Sequence, residues 1–152
     1  MKIASWNVNS LKVRLPQVLD WINLNQPDVL CLQETKQNND NFPHDVFEKR
    51  GLFSYHNGQN TYNGVAIISN KELIDVQFDI PNFYDEQKRL ISGIYPNDED
   101  PKFRVISAYI PNGQSLNSDK FEYKMNWLKS FISFLQTKID GIENIITGDF
   151  NI

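Results

Sequence analysis

Several apolar stretches of this chain each finish in a polar residue able to hold a metal ion or a phosphate, and that repeated ending narrows the folds open to it. Lys2 to Asn7 reads as a first strand and Asp28 to Glu34 as a second, the latter apolar enough to be covered on both faces. Phe103 to Ile110 carries Tyr109 near its end, before Pro111-Asn112-Gly113, and Asn144–Thr147 runs into Gly148-Asp149-Phe150-Asn151. Helical patterns separate these strands. One spans about Pro16 to Asn25, with Val18, Leu19 and Ile22 on its apolar face, Pro16 in its first turn and Pro27 just past its end. A longer one spans about Ser118 to Ile139, where Phe121, Met125, Leu128, Ile132, Leu135 and Ile139 recur at helical spacing. Ser118 is placed to cap it, with Asp119 and Glu122 near its positive end.

A helix between two strands favours parallel pairing. The first and second strands, and the two flanking the long helix, are therefore expected to run parallel. Parallel strands bring their C-terminal ends to one edge, where open α/β sheets bind ligands. Asn7, Glu34, Tyr109, Asp149 and Asn151 are expected to meet there. The remaining pattern is a short helix from Pro43 to Arg50 closed by Gly51, and strands near Phe53–His56, Gly64–Ser69, Leu73–Phe78 and Arg89–Tyr95, divided by turns such as Asn57-Gly58 and Pro96-Asn97-Asp98.

The chain has 152 residues, the size of one domain. No apolar run approaches the roughly 18–20 residues of a membrane helix. The N-terminus shows no export signal, so a cytoplasmic location and no membrane partner are expected. Cys31 is the single cysteine, which rules out an internal disulfide or a cysteine metal cluster and reads as a small buried hydrophobe. The formal net charge of -4 argues against nucleic-acid binding by charge alone. It leaves room for an enzyme whose acidic residues hold a metal and whose basic residues cluster locally. The chain finishes on apolar Ile152 directly after a site-like polar turn, so a C-terminal truncation is expected.

Two carboxylates and two amides, with no cysteine and little histidine, describe an oxygen-rich site suited to Mg²⁺ or Mn²⁺ rather than zinc. Mg²⁺ uses one or two carboxylates together with waters and substrate phosphate, which points to phosphoryl chemistry.

Five blocks in order carry a specific resemblance: Met1-Lys2-Ile3-Ala4-Ser5-Trp6-Asn7, Leu32-Gln33-Glu34-Thr35-Lys36, Asn63-Gly64-Val65-Ala66-Ile67, Ala108-Tyr109-Ile110-Pro111-Asn112-Gly113 and Gly148-Asp149-Phe150-Asn151. With this spacing the chain resembles the N-terminal portion of the endonuclease/exonuclease/phosphatase superfamily, in its exonuclease III-type branch. The resemblance implies a DNase I-like four-layer α/β sandwich, with residues 1–152 as a single domain lacking its C-terminal part. It implies hydrolysis of phosphodiesters in DNA repair, with double-stranded DNA as partner, above all at abasic sites and 3′ ends, by a protein that is monomeric when complete. By matched position, Glu34 would bind the metal with Asn7 supporting it, and Asp149 would orient or deprotonate the attacking water. Asn151 would place the phosphate or water, within the metal's reach, and Tyr109 would contact the scissile phosphate. Arg89 would contact phosphate, although an ion-paired or solvated arginine fits its strand equally. Lys120 and Lys124, one helical turn apart, reach a DNA backbone or form a solvated face. Asn112, beside Tyr109, could touch DNA. His56 reads as structural or solvent-facing.

The superfamily also uses a later Asp and a C-terminal Ser-Asp-His motif, and neither His44 nor His56 follows Ser-Asp. The portion in hand is therefore expected to be inactive alone, and to hold one mixed sheet whose inner face lies open to water. Two other readings stand beside the nuclease: a superfamily phosphatase acting on lipid or inositol phosphates, and a non-catalytic half-domain.

Overall fold

Val29-Leu30-Cys31-Leu32-Gln33 leaves no face for water, and a strand of that kind needs cover on both sides. The computed structural model describes residues 1–98, 102–137 and 141–152 and supplies that cover. In chain order the elements are β1 (Ile3–Asn7), α1 (Leu11–Asn25), β2 (Val29–Gln33), a 3-10 turn (Asn39–Asn41), α2 (His44–Glu48), β3 (Phe53–Asn57), β4 (Val65–Ser69), β5 (Ile74–Phe78), β6 (Leu90–Tyr95), β7 (Lys102–Tyr109), α3 (Asp119–Gln136) and β8 (Ile142–Asp149). Four strands form one sheet in the order β1-β2-β4-β3, and four form another in the order β5-β6-β7-β8.

The two sheets pack face to face. Val29, Cys31, Val65 and Ile67 from the first meet Leu73, Ile91, Phe103 and Val105 from the second in one apolar layer. Leu30, Leu32, Ala66 and Ile68 point the other way, against Leu11, Val18 and Ile22 of α1 and Phe47 of α2. Leu90, Ile106 and Ala108 pack on Trp127 and Phe131 of α3. Helices, sheet, sheet and helix thus give four layers. The expectation of one sheet with an open inner face is overturned, because β5 to β8 build a second sheet that covers it. Periodicity identifies each strand but not the sheet it joins, since that choice rests on pairing across long separations.

Two further differences concern the helices. α1 begins at Leu11, five residues before Pro16. Leu11 is fully buried and its backbone N–H donates to Thr35 O at 3.0 Å, so the helix is anchored upstream of the proline. Pro16 lies on the exposed side of the helix, where the carbonyl it leaves unpaired can be hydrated. α3 buries only part of the face its spacing suggests: Leu128 and Leu135 pack on the core as expected, but the face is turned. Met125 and Ile132 are 38% and 52% exposed, whereas Trp127 is 1% exposed and Phe131 lies beside it with ring centroids 5.1 Å apart. These two buried aromatic side chains set the packing and turn the helix about them. The N-terminal end is as expected, with Ser118 Oγ accepting from Phe121 N at 3.1 Å. Ile139 lies outside the described residues.

Trp127→Ala should cost about 3–5 kcal/mol of stability, while Met125→Ala should change it by less than about 0.5 kcal/mol. Urea unfolding of the two variants measures both, and a reversed order would place the buried face of α3 elsewhere.

Candidate active site

The C-terminal ends of β1, β2, β7 and β8 meet at one place. β1 and β2 are parallel with Asn7 opposite Gln33, and Val8 N donates to Gln33 O at 3.0 Å. Glu34 therefore lies directly past the Asn7 level. β7 and β8 are parallel with Tyr109 opposite Asp149. Facing of the two sheets brings the pairs together. Asn7 Nδ2 donates to Glu34 Oε1 at 2.9 Å and to Asp149 Oδ2 at 2.8 Å, and Tyr109 stands close enough to the Glu34 carboxylate for each to shift the other's titration.

Local turns aim these groups. Asn9 N donates to Asn7 Oδ1 at 3.0 Å, and Asn151 N donates to Asp149 Oδ1 at 3.1 Å. Both strands thus end in the same side-chain-to-backbone turn. With its oxygen held on Asn9, Asn7 presents N–H groups to the carboxylates. As placed, it orients acidic ligands and offers them no oxygen of its own. Gly148 has φ of 146°, and a Cβ there would lie 1.9 Å from Ala108 O, so only glycine lets β8 approach β7 just before Asp149. Asn151 is held on three sides, by its backbone N on Asp149, by Nδ2 donating to Ile110 O at 2.8 Å and by Lys124 Nζ donating to its carbonyl at 2.9 Å.

Lys36, a residue the sequence reading did not single out, completes the cluster. Its Nζ lies 3.3 Å from Glu34 Oε2 and donates to Asn9 Oδ1 at 2.6 Å. Burial alone would raise the Glu34 pKa, but bonds from Asn7, Tyr109 and Lys36 and the Lys36 charge outweigh it, and the carboxyl titrates below its usual range. The Tyr109 phenol moves the other way. Burial, its bond to Glu34 and the nearby carboxylate charges push it up to about 12, against an opposing pull from Arg89.

Arg89 contacts Tyr109 closely. Its guanidinium lies 4.7 Å from the Tyr109 ring centroid and 5.8 Å from that of Tyr123. It donates to Tyr109 O at 3.1 Å, and Nε and Nη2 both donate to Gln87 Oε1. Asn112 and Lys120 are exposed, and Asn112 Oδ1 accepts from Gln114 N at 2.9 Å. Thus Asn7, Glu34, Tyr109, Asp149 and Asn151 come together, Arg89 and Lys124 touch members of the cluster, and Asn112 and Lys120 stand at the surface. The sequence signal for Lys36 was its place two residues after Glu34. The sequence marks Asn57 only as a turn residue and Gln33 only as part of a motif, yet Asn57 Nδ2 crosses from the first sheet to Leu90 O of the second at 2.8 Å and Gln33 Nε2 donates to Ser107 Oγ at 3.1 Å.

A hollow of about 480 Å³ opens beside the cluster, lined in part by Ser5, Asn7, Gln33, Asp149 and Asn151. Among the described residues no three His, Cys, Asp or Glu side chains come together. Two carboxylates sharing one amide donor, with an ammonium on one of them, form a site that attracts positive charge. Such a donor set fits Mg²⁺ or Mn²⁺, which take one or two carboxylates and fill the rest of their shell from water and phosphate.

Residues 4–152 match the endonuclease/exonuclease/phosphatase family. The chain belongs to that family. Exodeoxyribonuclease III of Haemophilus influenzae is 34% identical over 158 residues, covering 100% of this chain and 58% of the relative. An AP endonuclease from Archaeoglobus fulgidus superposes with a TM-score of 0.91 at 37% identity, over 100% of this chain and 58% of that one. A 3′ phosphatase from Neisseria, solved with a product DNA hairpin, gives 0.91 at 41% identity with the same coverage. The chain therefore spans little more than half the length of these relatives.

Lys36→Met removes both a hydrogen bond and a positive charge from Glu34. The Glu34 carboxyl should then titrate at higher pH than in the unmodified protein, as followed by carboxyl carbon shifts in NMR. A downward shift or none would mean that the ammonium does not hold Glu34 in solution.

Proposed function

We propose that the whole protein is a divalent-metal-dependent DNA phosphodiesterase of the exonuclease III type, acting at abasic sites and 3′ ends of duplex DNA. The observation that carries this reading is the Asn7 amide, whose one nitrogen donates to carboxylates from two different sheets. That arrangement fixes two acidic groups side by side where a cation and a phosphate can share them. The relatives named above act on DNA according to their descriptions, which favours a nucleic-acid phosphodiester over a lipid or inositol phosphate.

Glu34 and Asp149 would hold Mg²⁺ through their carboxylate oxygens, with Asn7 orienting both and Asn151 beside them. Bound there, the ion would neutralise charge on the scissile phosphate and lower the pKa of a coordinated water. Asp149, steadied on both oxygens by Asn7 and Asn151, is suited to take a proton from the attacking water. Tyr109 stays protonated at neutral pH, so its hydroxyl can leave Glu34 and donate to a phosphoryl oxygen as charge builds up. Arg89 stiffens the Tyr109 ring from behind and keeps N–H groups for a phosphate. Lys124 holds Asn151 in place, while Lys120 and Asn112 stand exposed where a DNA backbone would run.

Activity is to be measured on the whole protein with abasic duplex DNA and Mg²⁺, alongside a phosphoinositide panel. Incision of the DNA is the expected result, and hydrolysis of phosphoinositides in its place would sink the nuclease reading. Asp149→Asn should lower kcat by about 10²–10⁴-fold, the usual worth of a positioned base. Tyr109→Phe should lower it by about 10²–10³-fold, as loss of one transition-state donor does. Near-normal turnover in either variant would remove that residue from the mechanism.

A further inference from the structure

The backbone that carries Glu34 out of β2 is unusual on both sides of Thr35. Glu34 and Lys36 each have φ of 53°, a left-handed conformation that side-chain-bearing residues hold only when their surroundings impose it. Thr35, between them, is fully buried. Backbone bonds fix part of the turn: Thr35 N to Gly64 O at 3.1 Å, Lys36 N to Asn63 O at 2.9 Å, Leu11 N to Thr35 O at 3.0 Å and Ser10 N to Glu34 O at 2.8 Å. Gly64 is pressed against the Thr35 side chain, where a Cβ would lie 2.1 Å from Oγ1. One side-chain bond completes the set among the described residues, between Thr35 Oγ1 and His56 Nε2 at 2.8 Å.

His56 is built in for this contact. The residue is 5% exposed, and its ring stacks on Phe42 with centroids 4.2 Å apart. Gly58 makes room for it, since a Cβ there would lie 2.2 Å from Cε1. Its Nδ1 is buried without a partner among the described residues. An unpaired buried N–H is rarer than an under-used acceptor, so the geometry assigns the proton to Nε2, which donates to Thr35. Burial first, and the charge of His44 second, lower the imidazole pKa to about 3, so the ring stays neutral near pH 7.

We propose that His56 is a positioning residue which, through Thr35 Oγ1, holds the Glu34–Lys36 turn so that the Glu34 carboxylate meets the Asn7 amide and the Lys36 ammonium meets Glu34 and Asn9, and which thereby sets the cluster's affinity for a divalent cation. The inference rests on the metal-dependent reading given above. It differs from a purely structural histidine in what a substitution moves. Loss of packing lowers stability, whereas loss of positioning lowers metal affinity and frees Glu34.

Thr35→Val removes the hydroxyl at nearly constant shape, His56→Phe removes the donor and keeps a ring to stack on Phe42, and Thr35→Ser keeps the bond. Each is made in the whole protein, and Mn²⁺ binding is followed by calorimetry together with the melting temperature. Thr35→Val and His56→Phe should each weaken Mn²⁺ binding by about 10–100-fold, as loss of an outer-shell partner does. The double variant should be no weaker than the weaker single, and Thr35→Ser should bind like the unmodified protein. Unchanged affinity in either single variant, or losses that add up in the double, would overturn the proposal. Should the unmodified protein bind no Mn²⁺, the metal reading fails, and the positioning role is decided without metal. The Glu34 carboxyl must then titrate at higher pH in Thr35→Val and in His56→Phe than in the unmodified protein, and an unmoved titration sinks the proposal.

Discussion

Two carboxylates held side by side repel each other, and the arrangement around Glu34 and Asp149 follows from containing that repulsion. Asn7 does so with a single nitrogen reaching across 142 residues of sequence to Asp149 and across 27 to Glu34. Hydrogen bonds to charged acceptors contribute more than neutral ones, about 1.5–3 kcal/mol each. Lys36 adds a positive charge on the outer side of Glu34. At Glu34 burial works against the charged form, but the donors around it together outweigh that effect and the carboxyl titrates low.

The donors reach their places because strand ends and turns are specified in pairs. Asn7 and Asp149 each finish a parallel pair, and each hands its Oδ1 to the backbone N–H two residues on. That leaves the Asn7 amide nitrogen and the Asp149 Oδ2 facing each other across the gap between the sheets. Tyr109 enters from the strand beside Asp149 and is stiffened by Arg89, itself enclosed by Gln87 and two tyrosine rings. α3 contributes twice in succession, with Tyr123 near the Arg89 guanidinium and Lys124 on the Asn151 carbonyl.

Much of this could be read along the chain. Apolar runs ending in Asn7, Glu34, Tyr109 and Asp149, joined through helices, were enough to predict the parallel pairs β1–β2 and β7–β8, but the single sheet edge expected for them is instead the meeting of two facing sheets. The division into two sheets was not legible, because β4 and β5 are separated by a short turn that gives no sign of a change of sheet. Nor was the full buried face of α3, where Trp127 and Phe131 outweighed the regular spacing of Met125 and Ile132. The His56–Thr35 bond and the Lys36–Glu34 pair escaped for another reason. Each is a contact between side chains whose directions depend on left-handed backbone at Glu34 and Lys36, and no periodicity announces that conformation.

Among the described residues β1 and β8 are both edge strands, one in each sheet, and no backbone ladder joins the two halves of the carboxylate pair. The thickness of the apolar layer behind them sets the gap, with Cys31, Ile67, Ile91 and Val105 filling it. Interiors of this kind are close-packed and transmit small changes in volume. Shortening a side chain in that layer would let the sheets settle closer or shift sideways, altering the reach required of Asn7. Such a change would look like a defect in chemistry although no atom near the carboxylates had been touched, and its cause would lie in a spacer of hydrocarbon.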